Sequence, residues 1–121
     1  VASKVLVVDD SEAIRQSVSY ILEQSGYEVT TAEDGADGLK KLESGAFSLI
    51  ITDVNMPNMD GIELTRQVRA QDEHKFLPII VLTTESQGAK MDEGKKAGAT
   101  GWIVKPFNAE KLLAVVKKVA G

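Results

Sequence analysis

Four places in the chain carry side chains that could act together on a charged group. They are the pair Asp9-Asp10, the lone Asp53, the pair Thr83-Thr84, and Lys105. Three carboxylates gathered at one point repel one another at neutral pH unless a cation lies among them. A hard divalent ion suits such a set, because Mg2+ takes a few carboxylates and a carbonyl, keeps waters, and leaves a position for a phosphoryl oxygen. A lysine adds a fixed positive charge, and a threonine hydroxyl adds a hydrogen-bond donor. Together these groups compose a site for an aspartyl phosphate, with Asp53 as the nucleophile and the cations neutralising the transferring group.

Taken singly, the same residues have ordinary explanations. Asp9 and Asp10, with Ser11 beside them, suit the N-cap of a helix. Asp53 begins the stretch DVNMPNMDG, which is rich in turn formers. A lysine or a threonine at a strand end is commonly structural. The choice between one shared site and four separate local roles depends on where the fold carries these positions.

Short apolar, β-branched runs recur along the chain: Lys4–Val8, Tyr27–Thr31, Ser48–Thr52, Pro78–Leu82 and Gly101–Val104. Segments of helical spacing lie between them. Ile14, Val18, Ile21 and Leu22 form one stripe, and Leu39 and Leu42 mark a second helix starting near Asp34. Ile62, Thr65 and Val68 mark a third helix from about Gly61, residues 87–97 a weak fourth, and Leu112, Val116 and Val119 a fifth. Gly26, Gly45 and Gly98 stand where three of these helices should stop. Alternating strands and helices predict an α/β fold, a doubly wound (βα)5 sandwich of three layers around a five-stranded parallel sheet. Near-continuous apolar strands fit burial on both faces. Right-handed crossovers in so short a chain favour the flavodoxin-like strand order 2-1-3-4-5. That order sets the first and third strands side by side and brings every residue of the candidate site to the carboxyl edge of the sheet.

The bulk properties narrow the classes further. A chain of 121 residues is predicted to be one domain spanning 1–121, large enough for a core without staples. It contains no cysteine, so thiolate metal sites and a disulfide framework are excluded. The net charge of −4 argues against a nucleic-acid surface. No apolar run reaches the roughly 20 residues of a membrane span, and the N-terminus lacks a signal-peptide core. A cytoplasmic protein without membrane contact is expected.

The motifs VVDDS (Val7–Ser11), DVNMPNMDG (Asp53–Gly61), VLTTES (Val81–Ser86) and GWIVKPF (Gly101–Phe107) together resemble the receiver domain of bacterial two-component response regulators. The likeness is greatest to the stand-alone chemotaxis type, and it covers essentially the whole chain. The strand order above is itself associated with those receivers, so topology and resemblance are not independent. The resemblance implies a phosphorylation-activated switch. Asp53 would be the phosphoacceptor, with Asp9, Asp10, Asp53 and the backbone carbonyl of Asn55 holding Mg2+, for which Mn2+ could substitute. Thr83 and Lys105 would contact the phosphoryl group, and Thr83 with Trp102 would form the switch. Asn55 and Glu85 would tune phosphoryl lifetime. The implied partners are a histidine kinase as donor, a downstream target such as a flagellar switch protein, and a phosphatase, acting on a monomer.

The implied output face comprises the fourth helix, fifth strand and fifth helix, with Lys90, Lys95, Trp102, Leu113 and Val115 as candidate contacts. Gly88 and Gly94 weaken the fourth helix by about 1 kcal/mol each relative to alanine, which suits an element that shifts. A plain half-buried aromatic is the alternative for Trp102, and a wide core-facing stripe is the alternative for Leu113 and Val115. His74 reads as a surface residue in a polar loop, so the phosphoryl group should come from another protein. At the level of function, a receiver cut from a longer regulator or phosphorelay protein is the alternative, since the chain opens on Val1 without a Met. A haloacid-dehalogenase-type phosphatase would need a second Asp where Asn55 stands, and a flavodoxin-like cofactor binder would need a phosphate cradle where Asp9, Asp10 and Glu12 stand.

Overall fold

The computed structural model of the chain describes residues 3–43, 45–84 and 88–120. Among them five strands alternate with five helices: β1 (Lys4–Val8), α1 (Glu12–Gln24), β2 (Glu28–Ala32), α2 (Gly35–Glu43), β3 (Leu49–Thr52), α3 (Gly61–Arg69), β4 (Ile79–Thr83), α4 (Gly88–Ala97), β5 (Gly101–Val104) and α5 (Ala109–Ala120). All strands pair in parallel, in the order β2-β1-β3-β4-β5, as the alternation of periodicities predicts.

Alternating strand residues feed two cores. Val5 and Val7 of β1, with Leu49, Ile51, Ile80, Leu82 and Ile103, face Val18 and Leu22 of α1 and Leu112 and Val116 of α5. Leu6, Val8, Ile50 and Ile79 point to the other side, where Leu42 of α2 and Leu64 and Val68 of α3 cover them. A third cluster of Val54, Ile62, Val81 and Ala97 joins α3 and α4 beside Trp102. Apolar strands covered on both faces therefore arise from the three-layer arrangement itself.

Boundaries differ slightly from the periodicity-based expectations. β2 and β4 each begin and end one residue later, so Thr83 closes β4 rather than following it. Asp34 precedes α2 instead of opening it: its Oδ1 accepts the Asp37 N–H at 2.8 Å, as an N-cap does. The Gln87 start expected for the fourth helix lies outside the described residues. His74 sits half-buried in a short 3-10 turn, Asp72–His74, rather than in an irregular loop. Gly26 and Gly98 adopt the left-handed φ expected just past helix ends.

Candidate functional site

The register of the sheet assembles the site. Val8 pairs with Thr52, so Asp9 and Asp53 leave adjacent strands at the same level, and the Asp53 N–H donates to the Val8 carbonyl at 3.0 Å. Thr83 pairs with Val104, which brings Lys105 out beside them. Lys105 precedes a cis bond to Pro106. One carboxylate oxygen from each of Asp9, Asp10 and Asp53 lies within 4.8 Å of the others. Asp9 and Asp53 are buried and Asp10 is exposed, so the cluster meets solvent at Asp10.

Lys105 Nζ lies 3.1 Å from Asp9 Oδ2 and 3.6 Å from Asp53 Oδ2. It serves both buried carboxylates and sits nearer to Asp9. Burial pushes the Asp9 carboxyl above its ordinary value, and the charge of Asp53 adds to that push. The Ser11 amide and the Lys105 ammonium act in the opposite direction. The net rise means that one lysine leaves Asp9 short of positive charge. An all-oxygen donor set with this electrostatic demand fits a hard divalent cation.

Local structure holds each group in place. The Ser11 N–H donates to Asp9 Oδ1 at 2.9 Å, while Ser11 Oγ caps α1 through the Ile14 N–H. Capping is therefore the task of Ser11, which leaves Asp10 and the second oxygen of Asp9 facing the cluster. Arg15 Nη1 donates to the Asp9 carbonyl at 2.7 Å and ties this loop to α1. Asp53 Oδ1 accepts the Val54 N–H at 2.8 Å, which orients the carboxylate. Asp60 caps α3 by accepting the Glu63 N–H at 2.8 Å. At Gly61, a Cβ would lie 1.9 Å from the Asp53 carbonyl oxygen, so only glycine permits this approach.

Thr83 is fully buried at the end of β4. Trp102 is half-buried on the edge strand β5, packed against the cluster of Val54, Ile62, Val81 and Ala97. Its ring crosses α4 at Gly94, where a Cβ would meet Cζ3 at 2.6 Å. Gly94 thus makes room for the ring, a contact that helix propensity does not disclose. Asn55 is exposed in the β3–α3 loop. Glu85, expected to tune lifetime, lies outside the described residues. On the candidate output face, Lys95 is exposed, Lys90 is half-buried with its Nζ 3.9 Å from Glu93, and Leu113 and Val115 pack against the sheet core. Sequence marks Asp34 only as a helix start and Asn58 only as part of a turn-rich loop, yet they touch: Asn58 Nδ2 donates to Asp34 Oδ2 at 2.8 Å. The only sequence signal for this contact was Asn58 itself, a residue type that tolerates the left-handed φ of 68° found there.

The family model of the response regulator receiver domain matches residues 5–117. A Chemotaxis protein CheY of Pseudomonas aeruginosa is 39% identical over 117 residues, covering 96% of this chain and 94% of its own. Among solved structures, the chemotaxis response regulator CheY4 of Vibrio cholerae is 53% identical, with a TM-score of 0.95 over 98% of this chain and 99% of that one. The response regulator TrrA of Thermotoga maritima, solved in complex with Mg2+ and BeF, is 38% identical with a TM-score of 0.87, covering 97% of this chain and 98% of its own.

Proposed function

The chain belongs to the response regulator receiver domain family, and from that membership we propose that it is a phosphorylation-activated switch operating at Asp53. The observation that supports this most is the convergence of Asp9, Asp10 and Asp53 on one point, with Lys105 shared between the two buried carboxylates. The phosphoryl donor is a phosphohistidine of a partner kinase. An Asp53 carboxylate oxygen forms the new bond to phosphorus as the phosphorus–nitrogen bond of the donor breaks, and the imidazole leaves with the electron pair and takes up a proton. Hydrolysis later returns Asp53 and inorganic phosphate.

Asp9, Asp10, Asp53 and the Asn55 carbonyl would hold Mg2+, which when bound neutralises charge on the transferring group. That TrrA was solved with Mg2+ and BeF supports this choice of ion. Lys105 supplies a second positive charge within reach of the Asp53 carboxylate. Burial of Asp9 and Asp53 keeps water from screening these interactions. Thr83, at the end of the neighbouring strand, donates its hydroxyl to a phosphoryl oxygen, and Asn55 and Glu85 set the lifetime of the acyl phosphate.

The added phosphoryl group brings nearly two negative charges and new acceptor oxygens. Movement of Thr83 toward it vacates space that Trp102 fills by turning inward, which biases α4, β5 and α5 between two populations. Those elements, with Lys90, Lys95, Trp102, Leu113 and Val115, would meet a target protein. Similarity to the chemotaxis proteins suggests a component of flagellar motor control in the cytoplasm. Among the described residues, no helix is long and apolar enough to cross a membrane.

The test follows Trp102, the sole tryptophan, during addition of Mg2+ and then beryllofluoride or a small phosphodonor. The parent should respond to both additions and, with the phosphodonor, gain one phosphoryl group by intact mass. Asp53→Ala should lose the second response and the mass gain. If Asp53→Ala is still phosphorylated to the parent level, the acceptor assignment is wrong.

A further inference from the structure

Between Asp53 and α3 the chain makes a short loop that includes Asn55, and this loop is anchored at two separate places. At its start, the Asp53 N–H is bonded to Val8 of β1 and the Gly61 N–H to the Val54 carbonyl, both at 3.0 Å. Near its end, it is fastened to the first turn of α2. The Gly35 N–H donates to the Met59 carbonyl at 3.2 Å, and the two backbones are so close that a Cβ on Gly35 would lie 2.6 Å from that oxygen.

The second anchor has a side-chain component. Asn58 adopts φ 68°, and its Nδ2 donates to Asp34 Oδ2 at 2.8 Å. The other oxygen of the same carboxylate, Oδ1, caps α2 through the Asp37 N–H at 2.8 Å. One carboxylate therefore fixes both the start of α2 and the conformation of Asn58. Asp34 is buried, and hydrogen bonds from Asp37 and Asn58 hold its carboxyl below the ordinary value, as expected of an ionised acceptor with two good donors. Asn55 lies in the span between the two anchors, so the direction of its carbonyl depends on both.

We propose that Asp34 and Asn58 form a clamp that positions the β3–α3 loop, and through it the Asn55 carbonyl, for metal binding at the Asp53 site. They are positioning residues, acting through the loop rather than touching the ion. The inference rests on the metal-binding role proposed above for the Asn55 carbonyl. Outer groups that orient metal ligands commonly change affinity by about 10- to 100-fold when altered.

The test exchanges donor and acceptor. Asn58→Asp tolerates the same backbone conformation but sets a carboxylate against a carboxylate. The double variant Asp34→Asn/Asn58→Asp restores the pair with the direction reversed: the new amide at position 34 donates to the new carboxylate at 58, and its oxygen still caps α2. Asn58→Gly keeps the left-handed conformation and removes only the side-chain bond, and it serves should Asn58→Asp fail to fold. Mg2+ affinity is measured by calorimetry, with thermal unfolding as the structural control.

Asn58→Asp is expected to bind Mg2+ about tenfold more weakly, Asn58→Gly to weaken it less, and the double variant to recover most of the loss. The sign is diagnostic, since an added negative charge near a cation site would by Coulomb attraction alone tighten binding. Folded single variants that lose thermal stability yet bind Mg2+ as tightly as the parent would overturn the clamp and leave the receiver assignment standing. A double variant that recovers stability without recovering affinity would do the same. A parent chain that binds no Mg2+ would overturn the metal-site reading and the clamp with it.

Discussion

Replacing Gly94 by alanine sets two effects of known sign against each other. In an unhindered helix interior the change stabilises by about 1 kcal/mol. In α4 the new Cβ would arrive 2.6 Å from Cζ3 and 3.2 Å from Cε3 of Trp102. Carbon–carbon contact becomes favourable near 3.5 Å, so ring and helix must separate by about 1 Å. An indole ring moves only as a rigid unit, and this one must give up packing against the cluster of Val54, Ile62, Val81 and Ala97 to do so. Overpacking of this kind costs about 1–3 kcal/mol. The clash therefore outweighs the propensity, and a net loss of about 1 kcal/mol is expected, which lowers Tm by about 4 °C in a domain of this size.

The sign should reverse once the ring is gone. In a Trp102→Ala background the same Gly94→Ala change should stabilise by about 1 kcal/mol, a coupling of about 2 kcal/mol between the two positions. Urea unfolding followed by far-UV circular dichroism reads all four chains, including those without the tryptophan. Fluorescence of Gly94→Ala alone should also report a ring displaced toward solvent. Stabilisation by alanine in both backgrounds, with an unchanged emission spectrum, would refute the packing of Trp102 on α4 and remove the physical link between that ring and the helix.

Gly61→Ala should be far more damaging, because its Cβ would lie 1.9 Å from a backbone oxygen of Asp53 that cannot yield. A loss of about 3 kcal/mol or more in urea unfolding is expected, and a loss below about 1 kcal/mol would contradict the geometry. Asp34, whose carboxyl is lowered chiefly by the Asp37 N–H and then by Asn58, stabilises the fold above the ordinary carboxylate value of 3.8, and this contribution disappears as pH falls through the lower folded value. Stability of Asp34→Asn should therefore fall less steeply than that of the parent below about pH 4, and parallel curves would count against an ionised Asp34. Arg69 donates to the carbonyls of Gly98 and His74 and to Thr100 Oγ1, stapling the end of α3 to the turn between α4 and β5. Arg69→Met should cost about 2 kcal/mol while leaving Mg2+ affinity unchanged, because the staple lies at the edge of the sheet opposite Asp53. A comparable loss of affinity would show that the two edges are coupled.

The residues that carry charge to the site were legible because strand period and strand order alone bring them together. A run of apolar residues that ends in an aspartate or a lysine places that group at the carboxyl edge, whatever packs elsewhere. Asp9, Asp10, Asp53 and Lys105 follow this rule, Thr83 closes β4 at the same edge, and the register of β1 with β3 and of β4 with β5 then sets their levels. The start of α2 falls one residue after Asp34 for a related reason: Asp34 is both a tolerable first helical residue and a good cap, and its bonds to Asp37 and Asn58 select the second role.

What stayed hidden belongs to contacts between elements distant in sequence. Gly94 reads as a weak helix position, and only the ring of Trp102 gives it a reason. Asn58 reads as a turn residue, and only Asp34, 24 positions earlier, gives its side chain a task. The proposed chemistry thus uses positions fixed by the local strand rule, whereas its proposed tuning uses a pair that the rule cannot see. An unreactive neighbour such as Asn58→Asp should consequently alter metal affinity with all five charged and hydroxyl groups of the site retained. By the same logic, if the clamp operates, a chain carrying those five groups on this sheet would share the proposed phosphoryl chemistry yet differ in metal affinity, because a separate pair would set the loop that holds Asn55.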